Sequence, residues 1–480
     1  MSRVEEILSV GIDIGTTTTS MVISRLKIRN IAGIFATPKI EIVEKRVVHR
    51  SGVYLTPLVD EINLNFAEVA EIIKKEYRLA RVNPDEIRTG AVIITGDAAR
   101  KENAENVLKA ISNTAGSFVV AAAGPHLEAV LAGRGSGAAQ LSKDAGLKIC
   151  NIDIGGGTTN AAVFDKGKLV STFCANIGGR LIKFVPGTNV IAEFSPAGKT
   201  IAEECGVVLC KGIQLTMQSI VSMADRLADC LLNILSGKVD GLSEKLAIGR
   251  LPESPLEIDC IMFSGGVGRL FYEDETKADA KSSLKYGDIG PILAEMIRSK
   301  KNRIRAEIIR PVETIYATVI GAGIHSTELS GSTIYISDPE ILPLKDIPVV
   351  RIDDPYKKAN TLKSEIMKKI EIFKDGGNTM LPALVIPQMA KLGFNRIRVV
   401  VNAIAEAVRT ADHTSPVVIV CEDDIGNVVG VLLYELVRKE RVVISIDQII
   451  MKEGDYIDIG KPLYNGKVVP VALKTLVFAN

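Results

Sequence analysis

The stretch Gly11 to Ser20, GIDIGTTTTS, returns at Asn151 to Asn160 as NIDIGGGTTN. No other feature of the chain restricts its fold as much. In both copies an apolar run leads into Asp-Ile-Gly, then small residues and threonines, then a second apolar run. Two apolar runs joined by a glycine-permitted turn read as a β-hairpin. The flanking order repeats as well. From residue 7 the sequence predicts strand, tight turn, strand and a third extended stretch ending near RSGVYLTPLV. Helix FAEVAEIIKKEYRLA, strand TGAVIIT, a helix opening at Asp97, strand SFVVAAA and a helix from Pro125 follow. The order restarts with LKICNIDI, turn GGGTT, NAAVF, turn DKGK and LVSTFCA. A helix from about Ile213 to Leu235, the buried strand DCIMF, the glycine turn SGGVG and a helix near ETIYATVIGAGIHS complete it. Three strands followed by alternating helix and strand make a mixed sheet with helices packed on it. Two such lobes, each opening on the same hairpin, imply an internal duplication.

A chain of 480 residues exceeds one ordinary core and calls for several folding units. The expected division is a first lobe over 1–140, a second lobe with a helical insertion over 141–330, and a C-terminal α/β unit over 331–480. The last begins with the proline-rich, extended SDPEILPLKDIPVVRIDDP, after which helix and strand alternate again. The fold class is α/β.

Lys plus Arg number 58 against 57 Asp plus Glu, so no net field draws the chain to nucleic acid or to an anionic membrane. Two glutamates stand where a signal peptide needs an apolar run, and no uninterrupted apolar stretch reaches the roughly 18 residues of a membrane span. A cytoplasmic protein is expected. The seven cysteines include no Cys-x-x-Cys pair and read as reduced, buried small hydrophobes. Four unclustered histidines argue against a structural zinc site.

The hairpins have the chemistry of a phosphate site. Closely spaced negative charge is held by backbone N–H groups and hydroxyls on a tight turn. Gly15 and the run Gly155, Gly156, Gly157 supply the turns, and Thr16, Thr17, Thr18, Thr158 and Thr159 the hydroxyls. Asp13 and Asp153, each two residues before a turn, would repel a triphosphate unless a divalent cation stood between. Mg²⁺ fits, because it takes one or two carboxylates plus phosphate oxygens. A single Asp-Ile-Gly can simply open a turn. Two at matching points of two lobes point to two half-sites. The adenosine end needs close backbone approach, which FSGGVGRL offers through Gly265, Gly266, Val267 and Gly268. SPAGKT at 195–200 ends like a P-loop, but Glu193 takes the place of the required first glycine.

This arrangement resembles the actin-like ATPase superfamily of sugar kinases, heat-shock chaperone ATPases and actin. GIDIGTTTTSMVI is similar to its first phosphate motif, NIDIGGGTTNAAVF to the second, IMFSGGVGRL to the adenosine motif, and VIGAGIHS, with Gly321, to the second connecting helix. The resemblance implies ATP and Mg²⁺ as cofactors, Asp13 and Asp153 as metal-holding catalytic residues, and Gly321 among the nucleotide contacts. More narrowly, the whole chain resembles the reactivating factors of ethanolamine ammonia-lyase, on TGAVIITGDAARKENA, CEDDIGNVVGVLL and KEGDYIDIGKPLYNGKVVPVALKTLVF. That implies a chaperone-like partner of the adenosylcobalamin-dependent lyase. Such a factor uses ATP to release damaged cobalamin, in the cytoplasm or with an ethanolamine-utilising microcompartment.

One departure stands out. In heat-shock ATPases the first connecting helix begins with a glutamate before proline that positions the attacking water, and here AAAGPHLEAVLAG has Gly124 in that place. Slow hydrolysis is expected, with His126 and Glu128 on the next turn in surface or capping roles. Glu422, Asp423 and Asp424 read as capping the helix that follows them. The C-terminal unit, without a chemical motif, is the candidate for partner binding or a homodimer contact. A small-molecule kinase of the same fold, an actin-like scaffold and an iron-sulfur electron donor for 2-hydroxyacyl-CoA dehydratases are the rival readings.

Overall fold

The computed structural model describes residues 4–15, 17–32, 39–60, 63–95, 98, 103–104, 106–107, 110–111, 115–116, 120–273, 284, 286–325, 328–374, 381–388, 393–410, 415–437 and 440–475. The helix expected from Asp97 falls largely outside them. The first sheet runs in the order Ile40–Arg50, Thr18–Asn30, Val4–Ile14, Ile87–Ile94, Val120–Ala123, with Tyr54–Leu55 beside Thr18 and Thr19. Its first three strands are antiparallel, and the last two run parallel to Val4–Ile14. The second sheet repeats the plan as Ala247–Ile248, Lys168–Ala175, Thr159–Asp165, Lys148–Ile154, Cys260–Ser264, Glu307–Ile308. It too is antiparallel up to its central strand and parallel beyond. The hairpin registers coincide. Asp13 faces Ser20 and Ile14 faces Thr19, while Asp153 faces Asn160 and Ile154 faces Thr159.

Two helices carry the chain between the lobes, and each packs on the sheet of the other one. On Pro125–Gly135, Ala129 joins Ile149, Ala162 and Phe164 of the second sheet. On Ala317–His325, Val319, Ile320 and Ile324 join Ile7, Val22 and Leu26 of the first. A boundary at 140 follows the order of the chain, whereas the packing of Pro125–Gly135 lies on the far side of it. The helices cross with their backbones in contact. A Cβ on Gly135 would lie 1.9 Å from the Ala317 carbonyl oxygen, and one on Gly321 would lie 2.0 Å from that of Leu131.

The C-terminal unit is an eight-stranded sheet whose strands Leu344–Arg351, Ala383–Ile386, Val417–Cys421 and Val443–Asp447 run parallel. Helices Ala359–Lys374, Phe394–Thr410 and Gly426–Leu436 connect them in order, and all three pack on one face. There Ile386, Ile419 and Cys421 pack with Ile366, Ile404 and Leu433. Val349, Val385 and Val420 point to the opposite face, against Ile457 and Val471. The proline-rich stretch thus contains a central strand, with Pro348 next to a bulge between Leu344 and Ile347, a setting in which sheets tolerate proline. The unit is fastened to the first lobe. Leu463, Tyr464 and Val468 enter the cluster of Ile7, Val22 and Leu26, and the Tyr464 N–H donates to Glu5 Oε2 at 2.7 Å. Among the described residues no helix is long and apolar enough to cross a membrane.

Candidate functional site

Each lobe's central strand ends in the same device. The Gly15 N–H donates to the Thr18 carbonyl and the Gly155 N–H to that of Thr158, both at 2.9 Å. These bonds close the turns that follow Asp13 and Asp153. Hydroxyls from other elements hold the carboxylates. Thr95 Oγ1 donates to Asp13 Oδ1 at 3.0 Å, and Ser264 Oγ donates to Asp153 Oδ1 at 2.6 Å. Thr318 Oγ1 reaches the second oxygen of Asp153 at 3.5 Å, while Asn151 Nδ2 donates to Ser264 Oγ at 2.9 Å. Burial pushes Asp13 up to about 7, opposed by the Thr95 bond and aided by the Asp153 charge. Burial likewise pushes Asp153 up to about 6 against its two hydroxyl bonds. A cation beside such carboxylates favours their ionised form.

Both turns face one cavity of about 380 Å³. Asp13, Gly15, Thr17 and Thr18 line it from the first lobe, and Asp153, Gly155, Gly156, Gly157 and Thr158 from the second. The hairpin tips touch, since a Cβ on Gly156 would lie 2.9 Å from Thr17 Oγ1. That hydroxyl is buried with no hydrogen-bond partner among the described residues. Gly265, Gly266 and Val267 line a further wall. Gly265 has φ +82°, and a Cβ there would meet the Ile154 carbonyl oxygen at 2.4 Å. At Gly266 a Cβ would have nothing within 4 Å. The turn therefore presents bare backbone to the cavity, the surface on which a flat ring can lie.

The family model of Ethanolamine utilisation protein EutA matches residues 5–479. The chain belongs to the EutA family. It is similar to the ethanolamine ammonia-lyase reactivase EutA of Escherichia coli strain K12, with 35% identity over 473 residues, 98% of this chain and 99% of that one. Identity and coverage are the same with the ethanolamine ammonia-lyase reactivase EutA of Salmonella typhimurium strain LT2. Among solved structures, an Aquifex aeolicus Ppx/GppA family member overlaps 66% of this chain and 96% of its own at 15% identity and TM-score 0.38. That likeness is too slight to carry any argument.

Three residues expected at the nucleotide in this EutA chain, Thr159, Gly268 and Gly321, do not line the cavity. Thr16 is outside the described residues. Thr159 is fully buried and donates to the Ile177 carbonyl at 2.8 Å. Gly321 is a packing glycine at the helix crossing, outside the cavity lining, because only a residue without a side chain fits against Leu131. Other lining residues went unread in the sequence, namely Thr95, Arg180, Asp288, Arg269, Tyr286 and Thr318. Glu128 also lines the cavity, one turn into the first connecting helix. His126 instead meets Thr172 Oγ1 at 2.9 Å. Gly124 has φ +127°, a conformation that a glutamate there would adopt only under strain.

Of Glu422, Asp423 and Asp424, expected to cap the next helix, Glu422 and Asp424 are engaged elsewhere. The N-cap position of the Gly426–Leu436 helix is Ile425, which supplies no side-chain cap. Glu422 pairs with Arg351 and accepts the Gln388 N–H at 3.1 Å, while Asp424 accepts the Thr333 hydroxyl at 2.8 Å. In SPAGKT, Ser195 caps the Pro196–Glu204 helix by accepting the Gly198 N–H, an ordinary helix start.

Proposed function

We propose that this chain is an ATP-dependent reactivase of ethanolamine ammonia-lyase. It binds Mg-ATP between the two hairpin turns and uses closure of the cleft to loosen the inactivated lyase, so that damaged cobalamin leaves and intact adenosylcobalamin enters. One observation carries the nucleotide part: two hairpins of the same register and turn bonding present Asp13 and Asp153 to a single cavity. The family match over residues 5–479 supports the partner. The donor set suits Mg²⁺, since carboxylates and hydroxyls meet there. The metal would be held by Asp13 and Asp153 and would offset the charge of the phosphates.

The chain's own residues do the rest. Gly15 and Gly155 hold the turns closed through their own N–H groups, Gly156 and Gly157 offer backbone N–H groups, Thr17, Thr18 and Thr158 offer hydroxyls, and Gly265 and Gly266 offer the wall for the base. These groups come from both lobes, so a nucleotide touching all of them favours the closed form by its differential affinity, typically ~1–3 kcal/mol. The C-terminal unit is fastened to the first lobe through Tyr464 and Glu5, and it follows that lobe as the cleft opens and closes. Turnover is slow, because no carboxylate stands at Gly124.

The test mixes the purified chain with lyase blocked by a cobalamin lacking the adenosyl group, adds free adenosylcobalamin, and follows ammonia-lyase activity. Recovery that requires the chain, Mg-ATP and an intact Asp153 supports the reading. Continued inactivity in a sample that demonstrably binds Mg-ATP rejects the reactivase role and leaves the nucleotide site standing.

A further inference from the structure

We propose that Arg180 is a catalytic residue that grips the terminal phosphate of the bound nucleotide, a stabilising arginine supplied by the chain itself and aimed by Asp288. This rests on the nucleotide reading of the cleft. The loop carrying Arg180 is bound to the back of the second turn. The Gly179 N–H donates to the Gly155 carbonyl at 3.0 Å, and the Arg180 N–H donates to that of Gly156 at 2.6 Å. The loop approaches so closely that a Cβ on Gly178 would lie 2.4 Å from the Gly156 carbonyl oxygen. From there the Arg180 stem passes over Gly156, its Cβ and Cδ at 3.5 and 3.7 Å from where a Gly156 Cβ would stand.

Among the described residues the guanidinium is held at one point. Its Nε donates to Asp288 Oδ2 at 3.0 Å, and Asp288 Oδ1 accepts the Gly290 N–H at 2.9 Å, which fixes the carboxylate. The two Nη nitrogens have no protein partner among the described residues, although Arg180 lines the cavity. A planar fork with both prongs open is the geometry that binds a phosphate in bidentate fashion.

Charge counting leads to the same residue. A triphosphate in this cavity lies near Asp13 and Asp153, yet among the described lining residues the only cations are Arg180 and Arg269. Arg269 belongs to the Gly265–Phe271 helix on the base side, where it pairs with Glu273 at 2.5 Å and donates to the Tyr286 hydroxyl at 3.1 Å. Arg180 is the cation beside the phosphate turns. In hydrolysis a water oxygen bonds to the terminal phosphorus and the β,γ-bridging P–O bond breaks. Its electron pair stays on ADP, and the water's proton passes to solvent as phosphate forms. Negative charge gathers on the bridging and terminal oxygens, and a preplaced guanidinium stabilises that charge without reorganising.

The experiment compares full-length wild type with Arg180→Gln, Arg180→Lys and Asp288→Asn. It measures turnover at saturating Mg-ATP, melting temperature, and affinity for Mg-ADP with and without aluminium fluoride, a mimic of the transferring phosphoryl group. Arg180→Gln should lower turnover by about 100- to 1000-fold and abolish the tighter binding given by aluminium fluoride, with Mg-ADP affinity within a few fold of wild type. Arg180→Lys should restore part of the discrimination, and Asp288→Asn should weaken it less than Arg180→Gln does. Unchanged turnover and discrimination in Arg180→Gln would overturn the proposal and leave the nucleotide site intact. Loss of Mg-ADP affinity in step with melting temperature would overturn it too, by showing a structural role. A wild type that binds no Mg-ATP removes the nucleotide reading itself.

Discussion

Gly266 and Gly321 both belong to glycine-rich stretches of the second half of the chain, yet alanine at the two positions should have opposite effects. At Gly321 a Cβ lands 2.0 Å from the Leu131 carbonyl oxygen, 2.6 Å from its carbon and 2.9 Å from its Cα. All three are backbone atoms of the crossing helix, so no rotamer change relieves the clash. Reaching ordinary contact at 3.4 Å requires the helices to part by 1.4 Å, the difference between 3.4 and 2.0. Overpacking of this kind costs about 1–3 kcal/mol. At about 2–4 °C per kcal/mol for a unit of this size, the upper end amounts to a fall of roughly 6–12 °C. At Gly266 the Cβ meets nothing within 4 Å, and alanine is the better helix former by up to ~1 kcal/mol. Gly266→Ala should melt at the wild-type temperature or slightly above it. Its methyl, however, would occupy the face proposed for the base, and a clash of about 1.4–2.8 kcal/mol would weaken binding some 10- to 100-fold. Thermal melts without nucleotide, paired with calorimetric titration of Mg-ATP, separate the two cases. An unchanged melting temperature in Gly321→Ala would refute the helix crossing, and intact binding in Gly266→Ala would refute the placement of the base.

Further outcomes follow from the same structure. Asp447 is buried, and desolvation, together with the neighbouring Asp424, holds its carboxyl well above the usual range. Its protonated form favours the fold, so its contribution is fullest in acid and is lost as pH rises through the raised value. The melting temperature of Asp447→Asn relative to wild type should therefore climb from pH 5 to pH 8, and a flat difference would contradict this. Cys210 is exposed and Cys205 half-buried, whereas Cys150, Cys174, Cys230, Cys260 and Cys421 are buried. Ellman's reagent should consume one thiol promptly in the native protein and five only on unfolding; early reaction of several would mean a looser core. Gly124→Ala meets no neighbour but must adopt φ +127°, so strain alone should cost about 1–3 kcal/mol, visible as a lower denaturation midpoint.

The hairpins were legible because their information is local. Strand, turn glycine and aspartate lie within ten residues, and the second copy repeats the first. What escaped the sequence is what the fold brings from afar. Arg180 and Asp288 are 108 positions apart, and Thr318 reaches Asp153 across 165. Nothing in either neighbourhood announces the partner. Gly321 was misplaced because a glycine on a helix can serve a ligand or another helix, and only the position of Leu131 decides between them. Glu422 and Asp424 stand where caps stand, but Arg351 and Thr333, both distant in the chain, claim them. Pro348 hid a central strand because the adjacent bulge that makes it tolerable leaves no sign in composition.

A two-hairpin site requires Asp13 and Asp153 to work together on one nucleotide. Phosphate release from Mg-ATP by the full chain, wild type beside Asp13→Ala and Asp153→Ala, tests this directly. Burial already opposes ionisation of both carboxyls, so their removal should leave the melting temperature near or above that of wild type. The predicted result is slow, Mg²⁺-dependent release by the wild type and none by either folded variant. Undiminished release by either variant would contradict the two-hairpin site.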